Sequence, residues 1–499
     1  MRTPRADLSS NTFDFETTPL VKATGFREYD ARWILEKEIN LLGLQALGLG
    51  LATFAHEIGV PAKIVVGHDF RSYSLAVKQA LTLGLMTGGM EVLDIGLALS
   101  PMAYFAQFDL DAACVAMVTA SHNENGWTGV KMGSQRPLTF GPDEMSRLKE
   151  IVLSGAGVER PGGKLVRVEG VRERYLADIT SRIQIQRKLR VVCACGNGTA
   201  GAFAPQALEA MGVEVIPMDT DLDWTFPKYN PNPEDHEMLM SMAEAVRREG
   251  ADLALGFDGD GDRCGVVDDT GEEIFADKIG LMLARDLSAL HRNATFIVDV
   301  KSTGLYATDP ILKANGATTV YWKTGHSYIK RKTSELGALA GFEKSGHFFF
   351  NTPIGRGYDD GIVAASAILA MLDRNPGKKL SELKQALPPA FTSLTMSPHC
   401  ADEAKYATVD AIVKEYQELA AAGGTILGRR IKDVITVNGV RVALEDGSWV
   451  LVRASSNKPE MVVVVESMSS ADDMRSLFRD EVKPRLARHP AVGAYNQEI

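Results

Sequence analysis

Residues 62–81, AKIVVGHDFRSYSLAVKQAL, contain the pattern that decides the fold. A short β-branched run is followed by a turn of glycine and small polar residues, and then by the start of a helix-like segment. The same pattern returns in LRVVCACGNGTAGAFAPQAL from Leu189 and in ATFIVDVKSTGLYATDPIL from Ala294. A later strand completes each copy, as MEVLDIG, VEVIPMD or TTVYWKTG. The pattern therefore predicts an internal repeat of a βαβ unit.

The end of the chain follows a different pattern. After Pro388, VITVNGVRVALEDGSWVLVRAS and MVVVVES are typical of antiparallel strands, with turns at Asn438-Gly439 and Asp446-Gly447. We therefore expect an α/β protein with three related mixed α/β domains, each with a βαβ core, and a smaller C-terminal α+β domain. The predicted domains of the 499-residue chain are 1–165, 166–271, 272–390 and 391–499.

Composition limits the partners of this chain. It has 54 Lys and Arg against 64 Asp and Glu, a formal net charge of −10. A general nucleic-acid binder needs clustered basic residues over a broad face, so this balance argues against one. No stretch offers the ~20 uncharged apolar residues of a membrane span, and the N-terminus has no apolar signal-like segment. We expect a cytoplasmic protein without a membrane partner.

The motif TASHNENGWTGVKMG follows the apolar run AACVAMV. A strand that ends in small polar residues places hydroxyls at the carboxyl edge of a sheet, where α/β proteins bind ligands. Ser121 is the candidate nucleophile, and Lys131 could act as a proton-transfer group or phosphate contact. The alternative is a polar turn with backbone roles alone. A serine hydrolase is disfavoured because Ser121 and His122 are expected on opposite faces of a strand, and because no GxSxG elbow occurs.

Three carboxylates alternate with glycine in LALGFDGDGDRCGVV, at Asp258, Asp260 and Asp262. Such carboxylates can converge on one hard cation, for which Mg²⁺ is the expected choice, and Arg263 beside them could clamp a phosphate. An EF-hand calcium loop shares the opening, but it needs Gly at the sixth position and Glu at the twelfth, where this chain has Arg263 and Asp269. A purely structural turn is disfavoured because converging carboxylates repel one another.

Two further motifs have polar groups suited to a sugar. TGHSYIKRK contains His326, and GFEKSGHFFF contains Glu343, Ser345 and His347. Glu and Ser can accept from and donate to adjacent hydroxyls, so these segments predict an edge that binds a polyhydroxyl compound. Each histidine taken alone is more typical of a structural residue.

A last motif, VRASSNKPEMVVVVES, suits a phosphate. A guanidinium, hydroxyls and backbone N–H groups in one turn can bind a dianion, and the alternative is a solvated β-turn. The candidate residues of this turn are Arg453, Ser455, Ser456 and Asn457.

Together these five motifs, in this order, resemble the α-D-phosphohexomutase family, particularly its bacterial phosphomannomutase/phosphoglucomutase branch. The resemblance covers nearly the whole chain, from FREYDARW at Phe26 to the loop near Arg453. It implies four domains around a central cleft. It also implies a phosphohexomutase that interconverts hexose 1-phosphate and hexose 6-phosphate, of mannose and/or glucose. The reaction would pass through a phosphoserine and a hexose 1,6-bisphosphate, with Mg²⁺ as cofactor and a small phosphosugar as partner, in a monomer or weak homodimer.

The resemblance also implies roles for individual residues. Ser121 would hold the transferable phosphoryl group and complete the Mg²⁺ site of the three aspartates. Glu343 and Ser345 would bind the 3- and 4-hydroxyls of the sugar. The residues expected to take part in phosphoryl transfer are Ser121, His122, Lys131, Arg263 and His326. The residues expected to bind substrate are Tyr29, Arg32, Lys301, Glu343, Ser345, His347, Arg453, Ser455, Ser456 and Asn457.

The chain departs from the family pattern in three places. YDARW replaces YDIRG, TASHNE replaces TASHNP, and RASSNKP replaces RASNTTP, which leaves the roles of Ser456, Asn457 and Lys458 open. A phosphoglucosamine mutase is the alternative enzyme, but EKSGH lacks the glutamine expected for that branch. A non-catalytic protein that binds a metal and a phosphosugar is a remoter alternative, because binding alone requires no nucleophile beside an acid/base.

Overall fold

The computed structural model describes residues 3–455 and 458–499. The chain divides into two compact units, one formed by the chain up to Ala276 with Ser345–Ser381, the other by Asp277–Lys344 with Glu382–Ile499. The four sheets found in the described part confirm the mixed α/β fold class with its C-terminal α+β domain. The domain boundaries stay a prediction, and residues 345–381, which they place in the third domain, lie in the first unit. No described helix combines the length and apolar character that a bilayer span requires.

The first sheet of the first unit has six strands and contains the predicted nucleophile region. Lys63–His68 is parallel to Glu91–Leu97, and helix Ser74–Thr87 connects them, which confirms the first predicted βαβ unit. The strands, in order across the sheet, are Ala31–Ile34, Trp127–Gly133, Cys114–Val118, Lys63–His68, Glu91–Leu97 and Lys164–Arg167. The helices of this part are Phe13–Thr17, Leu41–Glu57, Ser74–Thr87, Ser100–Asp109 and Pro142–Ser154.

Two buried helices cover this sheet and cross at glycines. A Cβ atom on Gly84 would meet the carbonyl oxygen of Gln45 at 2.0 Å, and one on Gly48 would meet that of Leu81 at 2.2 Å. Only glycine therefore allows Leu41–Glu57 and Ser74–Thr87 to approach this closely. The close approach buries apolar side chains of both helices in one core with the sheet.

The second sheet of the same unit has five strands and presents the acidic motif. Leu253–Phe257 is parallel to Arg190–Ala194 and antiparallel to Cys264–Asp268, so the motif forms the connection between two buried antiparallel strands. The strands, in order, are Glu273–Ile274, Cys264–Asp268, Leu253–Phe257, Arg190–Ala194 and Glu214–Met218. The helices are Val171–Thr180, Ala204–Ala210 and His236–Glu249. The segment Ser345–Ser381 adds the short strand Phe348–Phe350 and the helix Gly361–Asp373.

The second unit begins with a parallel sheet. Thr295–Asp299 is parallel to both Thr318–Trp322 and Ala340–Phe342. Lys301, His326 and Glu343 therefore follow the carboxyl ends of three parallel strands, the usual ligand-binding edge of such a sheet. The helices of this part of the chain are Ala276–Leu290, Leu305–Thr308, Pro310–Ala314, His326–Glu335 and Leu380–Gln385.

The C-terminal sheet is antiparallel, as predicted. Its two tight turns contain Gly439 and Gly447, whose φ angles of 66° and 93° suit glycine. The strands, in order, are Phe391–Thr392, Met461–Ser467, Trp449–Ala454, Val440–Leu444, Arg429–Ile435 and Thr425–Ile426. The helical segments are Asp402–Ala421, Ala471–Ser476, Leu477–Val482 and Lys483–Leu486.

A buried polar network joins the two sheets of the second unit. Glu466 accepts hydrogen bonds from Thr303 Oγ1 at 2.9 Å and from the Gly304 N–H at 2.7 Å. Arg441 donates to two carbonyl oxygens of the same turn, at 2.6 and 2.7 Å. The turn that contains Lys301 is thereby held against the C-terminal sheet.

We expect Glu466→Ala to lower the free energy of unfolding of the second unit by about 3–5 kcal/mol, because it removes one partner of a buried charged network. Chemical denaturation measures the loss, and hydrogen exchange of peptides covering 300–304 and Met461–Ser467 locates it. The control is Glu418→Ala on helix Asp402–Ala421, an exposed carboxylate 3.8 Å from Lys414. Its effect should stay within about 0.5 kcal/mol. Equal effects of the two substitutions would contradict this role of Glu466.

Candidate active site

Ser121 lies in the turn after strand Cys114–Val118 and has a left-handed backbone, with a φ angle of 53°. This conformation costs a residue other than glycine about 1–2 kcal/mol. Surrounding contacts must therefore hold it in place. The Ser121 N–H donates to Thr119 Oγ1 at 2.8 Å, and the buried Ser121 hydroxyl donates to Asp258 Oδ2 at 3.3 Å. The turn thus directs the hydroxyl toward the acidic motif.

His122 departs from the expectation drawn from strand alternation. Its Nδ1 lies 3.2 Å from Ser121 Oγ, so the prediction that the two side chains point apart is wrong. The left-handed turn at Ser121 interrupts the alternation of an extended strand. The charge of Arg263, followed by burial, lowers the pKa of His122 well below its usual range. A neutral imidazole therefore lies within hydrogen-bond reach of the serine hydroxyl.

The three aspartates are fully buried and their ligand atoms converge. One carboxylate oxygen from each of Asp258, Asp260 and Asp262 lies within 4.8 Å of the others. The glycines between them allow this geometry. A Cβ atom on Gly259 would meet the carbonyl oxygen of Ser121 at 2.5 Å, and Gly261 has a φ angle of 74°. The alternation of aspartate and glycine is thus a steric requirement of the turn.

One lysine partly neutralises these carboxylates. The buried Lys131 ammonium donates to Asp260 Oδ2 at 2.7 Å and also to Asp262 Oδ2. Burial lowers the pKa of Lys131, but the two carboxylates outweigh burial and raise the pKa well above its usual range. Burial and the neighbouring carboxylates raise the pKa of Asp258 well above its usual value. A single ammonium therefore does not balance three carboxylates.

The donor set fits a hard divalent cation. Asp260 Oδ1 and Asp262 Oδ1 are buried and have no hydrogen-bond partner among the residues that the structure describes. Leaving buried charged oxygens without a partner is costly, whereas Mg²⁺ and Ca²⁺ prefer carboxylate oxygens as ligands. The cluster can therefore hold a metal ion.

Arg263 connects the acidic motif to the segment after the second unit's parallel sheet. Its N–H donates to Asp258 Oδ1 at 3.2 Å, its Nε donates to His347 Nε2 at 3.0 Å, and its Nη1 donates to Glu234 Oε2 at 3.0 Å. His347 Nδ1 lies 3.0 Å from Asp359 Oδ2. These contacts assign the Nδ1–H tautomer to His347, which keeps its Nε2 as the acceptor for the guanidinium.

Arg32 reaches the serine turn from strand Ala31–Ile34. Its Nη2 pairs with Asp30 Oδ2 at 2.9 Å, and its Nη1 donates to the carbonyl oxygen of Thr119. Tyr29 is half-buried in the preceding turn. The structure thus brings Arg32 to the first unit's site, together with Ser121 and the acidic motif.

Sequence reasoning missed several residues of this site. Ser100 Oγ donates to Asp260 Oδ2 at 2.5 Å, and Asp359 bonds to His347 as described. Asp69 and Arg71 contact the serine turn from the first βαβ unit. The position of Asp69 and Arg71 after strand Lys63–His68 could have indicated them, because the turn after a parallel strand lies at the same sheet edge as the other site residues.

The remaining candidates of the parallel sheet lie in two different units. Lys301, His326 and Glu343 belong to the second unit, where His326 and Glu343 are buried. Ser345 and His347 belong to the first unit, and Ser345 is half-buried. The binding roles of these residues stay predictions.

The predicted phosphate turn is described in part. Arg453 and Ser455 lie at the end of strand Trp449–Ala454, and Arg453 Nη1 donates to the Ala454 carbonyl oxygen at 2.9 Å. Lys405 Nζ donates to the Ser455 carbonyl oxygen at 2.6 Å. Ser456 and Asn457 lie outside the described residues. Two cationic side chains are therefore close to this turn.

Comparison with known proteins gives a consistent result along the chain. Models of phosphoglucomutase/phosphomannomutase alpha/beta/alpha domains I, II and III match residues 23–157, 173–271 and 275–391, and that of the C-terminal domain matches residues 399–483. A phosphomannomutase/phosphoglucomutase from Pseudomonas putida is 32% identical over 463 residues, which cover 93% of this chain and 95% of the relative. A phosphoglucomutase from Neisseria gonorrhoeae is 30% identical over 450 residues, covering 89% and 93%. A crystal structure of a phosphoglucomutase/phosphomannomutase family protein from Burkholderia thailandensis superposes with a TM-score of 0.84 at 27% identity, covering 95% of this chain and 100% of that one. The chain therefore belongs to the phosphoglucomutase/phosphomannomutase family, the bacterial branch of the α-D-phosphohexomutases that its motifs resemble.

Proposed function

We propose that this enzyme interconverts the 1- and 6-phosphates of mannose and/or glucose through a phosphoserine at Ser121. The observation that carries the proposal is the direction of the Ser121 hydroxyl, which donates to Asp258 within a buried cluster of three aspartates and Lys131. A nucleophile beside a metal-binding cluster and a cation is what phosphoryl transfer requires, because catalysis there is mostly positioning and charge neutralisation. We still predict a cytoplasmic protein that binds neither membranes nor nucleic acids and that is a monomer or weak homodimer.

Asp258, Asp260 and Asp262 would hold Mg²⁺, and a phosphate oxygen on Ser121 would complete the site. The bound ion would supply positive charge to the transferring phosphoryl group and allow all three carboxylates to ionise. Asp260 Oδ1 and Asp262 Oδ1 are buried and accept no hydrogen bond from a described residue, which supports this assignment. The EF-hand alternative is disfavoured further, because the motif connects two strands.

The first half-reaction transfers the phosphoryl group from Ser121 to a hydroxyl of the hexose monophosphate. The P–Oγ bond of phospho-Ser121 breaks as a bond forms between phosphorus and the sugar oxygen. The proton of the sugar hydroxyl passes to Ser121 Oγ, so that the products are a hexose 1,6-bisphosphate and the free Ser121 hydroxyl. Lys131 and Arg263 would stabilise the charge on the phosphoryl oxygens, and Arg32 beside the serine turn would support them. In the return step the Ser121 hydroxyl attacks the other phosphorus of the bisphosphate and the bond from that phosphorus to the sugar oxygen breaks. The neutral His122 imidazole, 3.2 Å from Oγ, can accept the serine proton, and the departing sugar oxygen gains a proton.

The bisphosphate must turn around between the two half-reactions. The distal phosphate site must therefore accept either phosphate, a role that we assign to the turn with Arg453 and Ser455. Lys301 and Glu343 would bind the sugar, and His326 would assist phosphoryl transfer from the substrate side. The Glu466 network holds the Lys301 turn against the C-terminal sheet. The Lys301 turn and the turn with Arg453 would therefore move together, and the C-terminal domain would not move separately from the Lys301 turn.

We expect Ser121→Ala to lower turnover at least about 1,000-fold, because the transferable phosphoryl group has no acceptor. Incubation with glucose 1,6-bisphosphate should add the mass of one phosphoryl group to the unmodified enzyme and none to the variant. Intact-mass spectrometry measures both. The matched control is Ser181→Ala, an exposed serine that donates to the Asp178 carbonyl oxygen. Turnover by Ser121→Ala at the unmodified rate would exclude the phosphoserine mechanism.

Chelation of divalent cations should abolish turnover, and added Mg²⁺ should restore it. Asp260→Asn should weaken Mg²⁺ binding by about 10–100-fold or more, because it removes one of three charged ligands. Isothermal titration measures this binding independently of activity. The control Asp143→Asn changes an exposed carboxylate in the first turn of helix Pro142–Ser154. Unchanged Mg²⁺ affinity in Asp260→Asn would place the ion elsewhere.

The substrate class is tested with mannose 1-phosphate, glucose 1-phosphate and glucosamine 1-phosphate. A coupled assay with Mg²⁺ and a trace of glucose 1,6-bisphosphate should show comparable kcat/KM for the first two, because mannose and glucose differ only in the orientation of one hydroxyl. A strong preference for glucosamine 1-phosphate would instead identify a phosphoglucosamine mutase. Binding without turnover of any substrate would favour the non-catalytic alternative.

A further inference from the structure

We propose that Arg71 is the positioning residue of the nucleophile. It would hold the turn at 121–125 from behind, so that the Ser121 hydroxyl stays directed at the metal-binding aspartates while it gains and loses the phosphoryl group. The inference rests on the proposed phosphoserine function and adds a residue that none of the motifs had indicated.

Four of the five N–H groups of Arg71 donate to this turn. Its Nη2 donates to the carbonyl oxygens of Ser121 at 3.0 Å and Asn123 at 2.6 Å. Its Nη1 donates to the Glu124 carbonyl oxygen and to Asn125 Oδ1, both at 3.3 Å. A guanidinium is the side chain that offers five donors in a fixed plane, so the contacts define the path of the turn.

The fifth N–H of Arg71 bonds to Asp69, which also holds the start of the turn. Asp69 Oδ2 accepts from Arg71 Nε at 3.3 Å and from the Ala120 N–H at 3.2 Å. Its Oδ1 accepts from Ser74 Oγ at 2.5 Å. Both side chains are buried, with 2% of Asp69 and 5% of Arg71 exposed. The pair therefore joins the end of strand Lys63–His68 to the nucleophile turn.

The loop between strand Glu214–Met218 and helix His236–Glu249 covers the other side of the guanidinium. The Phe226 ring lies over Arg71, 5.3 Å from its centroid to the guanidinium carbon. Asn125, which accepts from Arg71, donates to the Trp224 carbonyl oxygen at 2.7 Å. Arg71 is thus enclosed by protein, and its hydrogen bonds go to the serine turn and to Asp69 rather than to an aspartate of the metal-binding motif or to Lys131.

The backbone of Ser121 makes this support necessary. Its left-handed conformation is unfavourable for serine and persists only where neighbours over-determine it. Its carbonyl oxygen accepts from Arg71 on one side and faces Gly259 on the other. A Cβ atom on Gly259 would lie 2.5 Å from this oxygen. Loss of Arg71 would remove the guanidinium donors of the Ser121 and Asn123 carbonyl oxygens, and the turn would relax. A misplacement of about 1 Å can cost about 100-fold in rate.

The test compares Arg71→Gln and Arg71→Lys with the unmodified enzyme. We expect Arg71→Gln to lower kcat and the single-turnover rate of Ser121 phosphorylation by glucose 1,6-bisphosphate about 100-fold. The KM for hexose 1-phosphate should stay within about 3-fold, because Arg71 acts through the serine and touches no predicted substrate group. Arg71→Lys, with three donors, should recover part of the rate.

The matched control is Arg172→Gln in the same unit. Arg172 likewise lies over a phenylalanine ring and donates to a backbone carbonyl oxygen and to Gln206, but it does so away from the serine turn. Its removal should leave the phosphorylation rate unchanged.

Four outcomes overturn the proposal. One is phosphorylation of Arg71→Gln within about 3-fold of the unmodified rate. A second is parallel loss of Mg²⁺ binding measured by titration, which would indicate general disruption of the site. The third is an Arg71→Lys variant as impaired as Arg71→Gln. The fourth applies where Arg71→Gln does not fold, and it is an Arg71→Lys variant with the unmodified rate of phosphorylation. Failure of the unmodified enzyme to become phosphorylated would instead overturn the proposed function.

Discussion

Two of three buried aspartate carboxylates, those of Asp260 and Asp262, share the Lys131 ammonium, and the rest of the first unit depends on this pairing. The aspartates come from the connection between two strands of the five-stranded sheet, whereas Lys131 comes from a strand of the six-stranded sheet. Removing one partner of such a buried pair typically costs about 3–5 kcal/mol. The two sheets are therefore held together by the same charges that form the site. A divalent cation bound by these carboxylates would favour their ionised form.

The nucleophile turn contains a strained residue, and this strain sets the direction of the serine hydroxyl. Ser121 takes a left-handed backbone that serine disfavours, and the glycine opposite it leaves room for its carbonyl oxygen. Asp69 and Arg71 then bind the backbone of the turn rather than the hydroxyl. This arrangement separates two tasks. The buried network fixes where Ser121 lies, and the hydroxyl stays available for reaction.

Local patterns in the sequence predicted much of the fold. The three βαβ units and the C-terminal hairpins follow from hydrophobic period and turn residues, which act over a few neighbours. The DGDGDR motif was found for the same reason, since its three ligands are adjacent. Contacts between distant segments were not predicted, such as Arg71 with 121–125 or Asp359 with His347, because packing alone brings them together. The position of His122 was predicted wrongly. Side chains alternate between faces only where the backbone stays extended, and the backbone at Ser121 is left-handed.

Apart from His326, the groups proposed for phosphoryl transfer lie in the first unit, and none of these needs to distinguish one sugar from another. Ser121, Lys131 and the aspartates would contact phosphoryl oxygens and the attacking atom, which are alike in every hexose phosphate. The sugar would be recognised mainly by groups of the second unit, at the ends of three parallel strands and in the phosphate turn. On this proposal, a change of substrate would require changes mainly in the segments that bind the sugar. The same proposed phosphoserine chemistry would then serve mannose, glucose or an amino sugar, and the binding segments would decide among them.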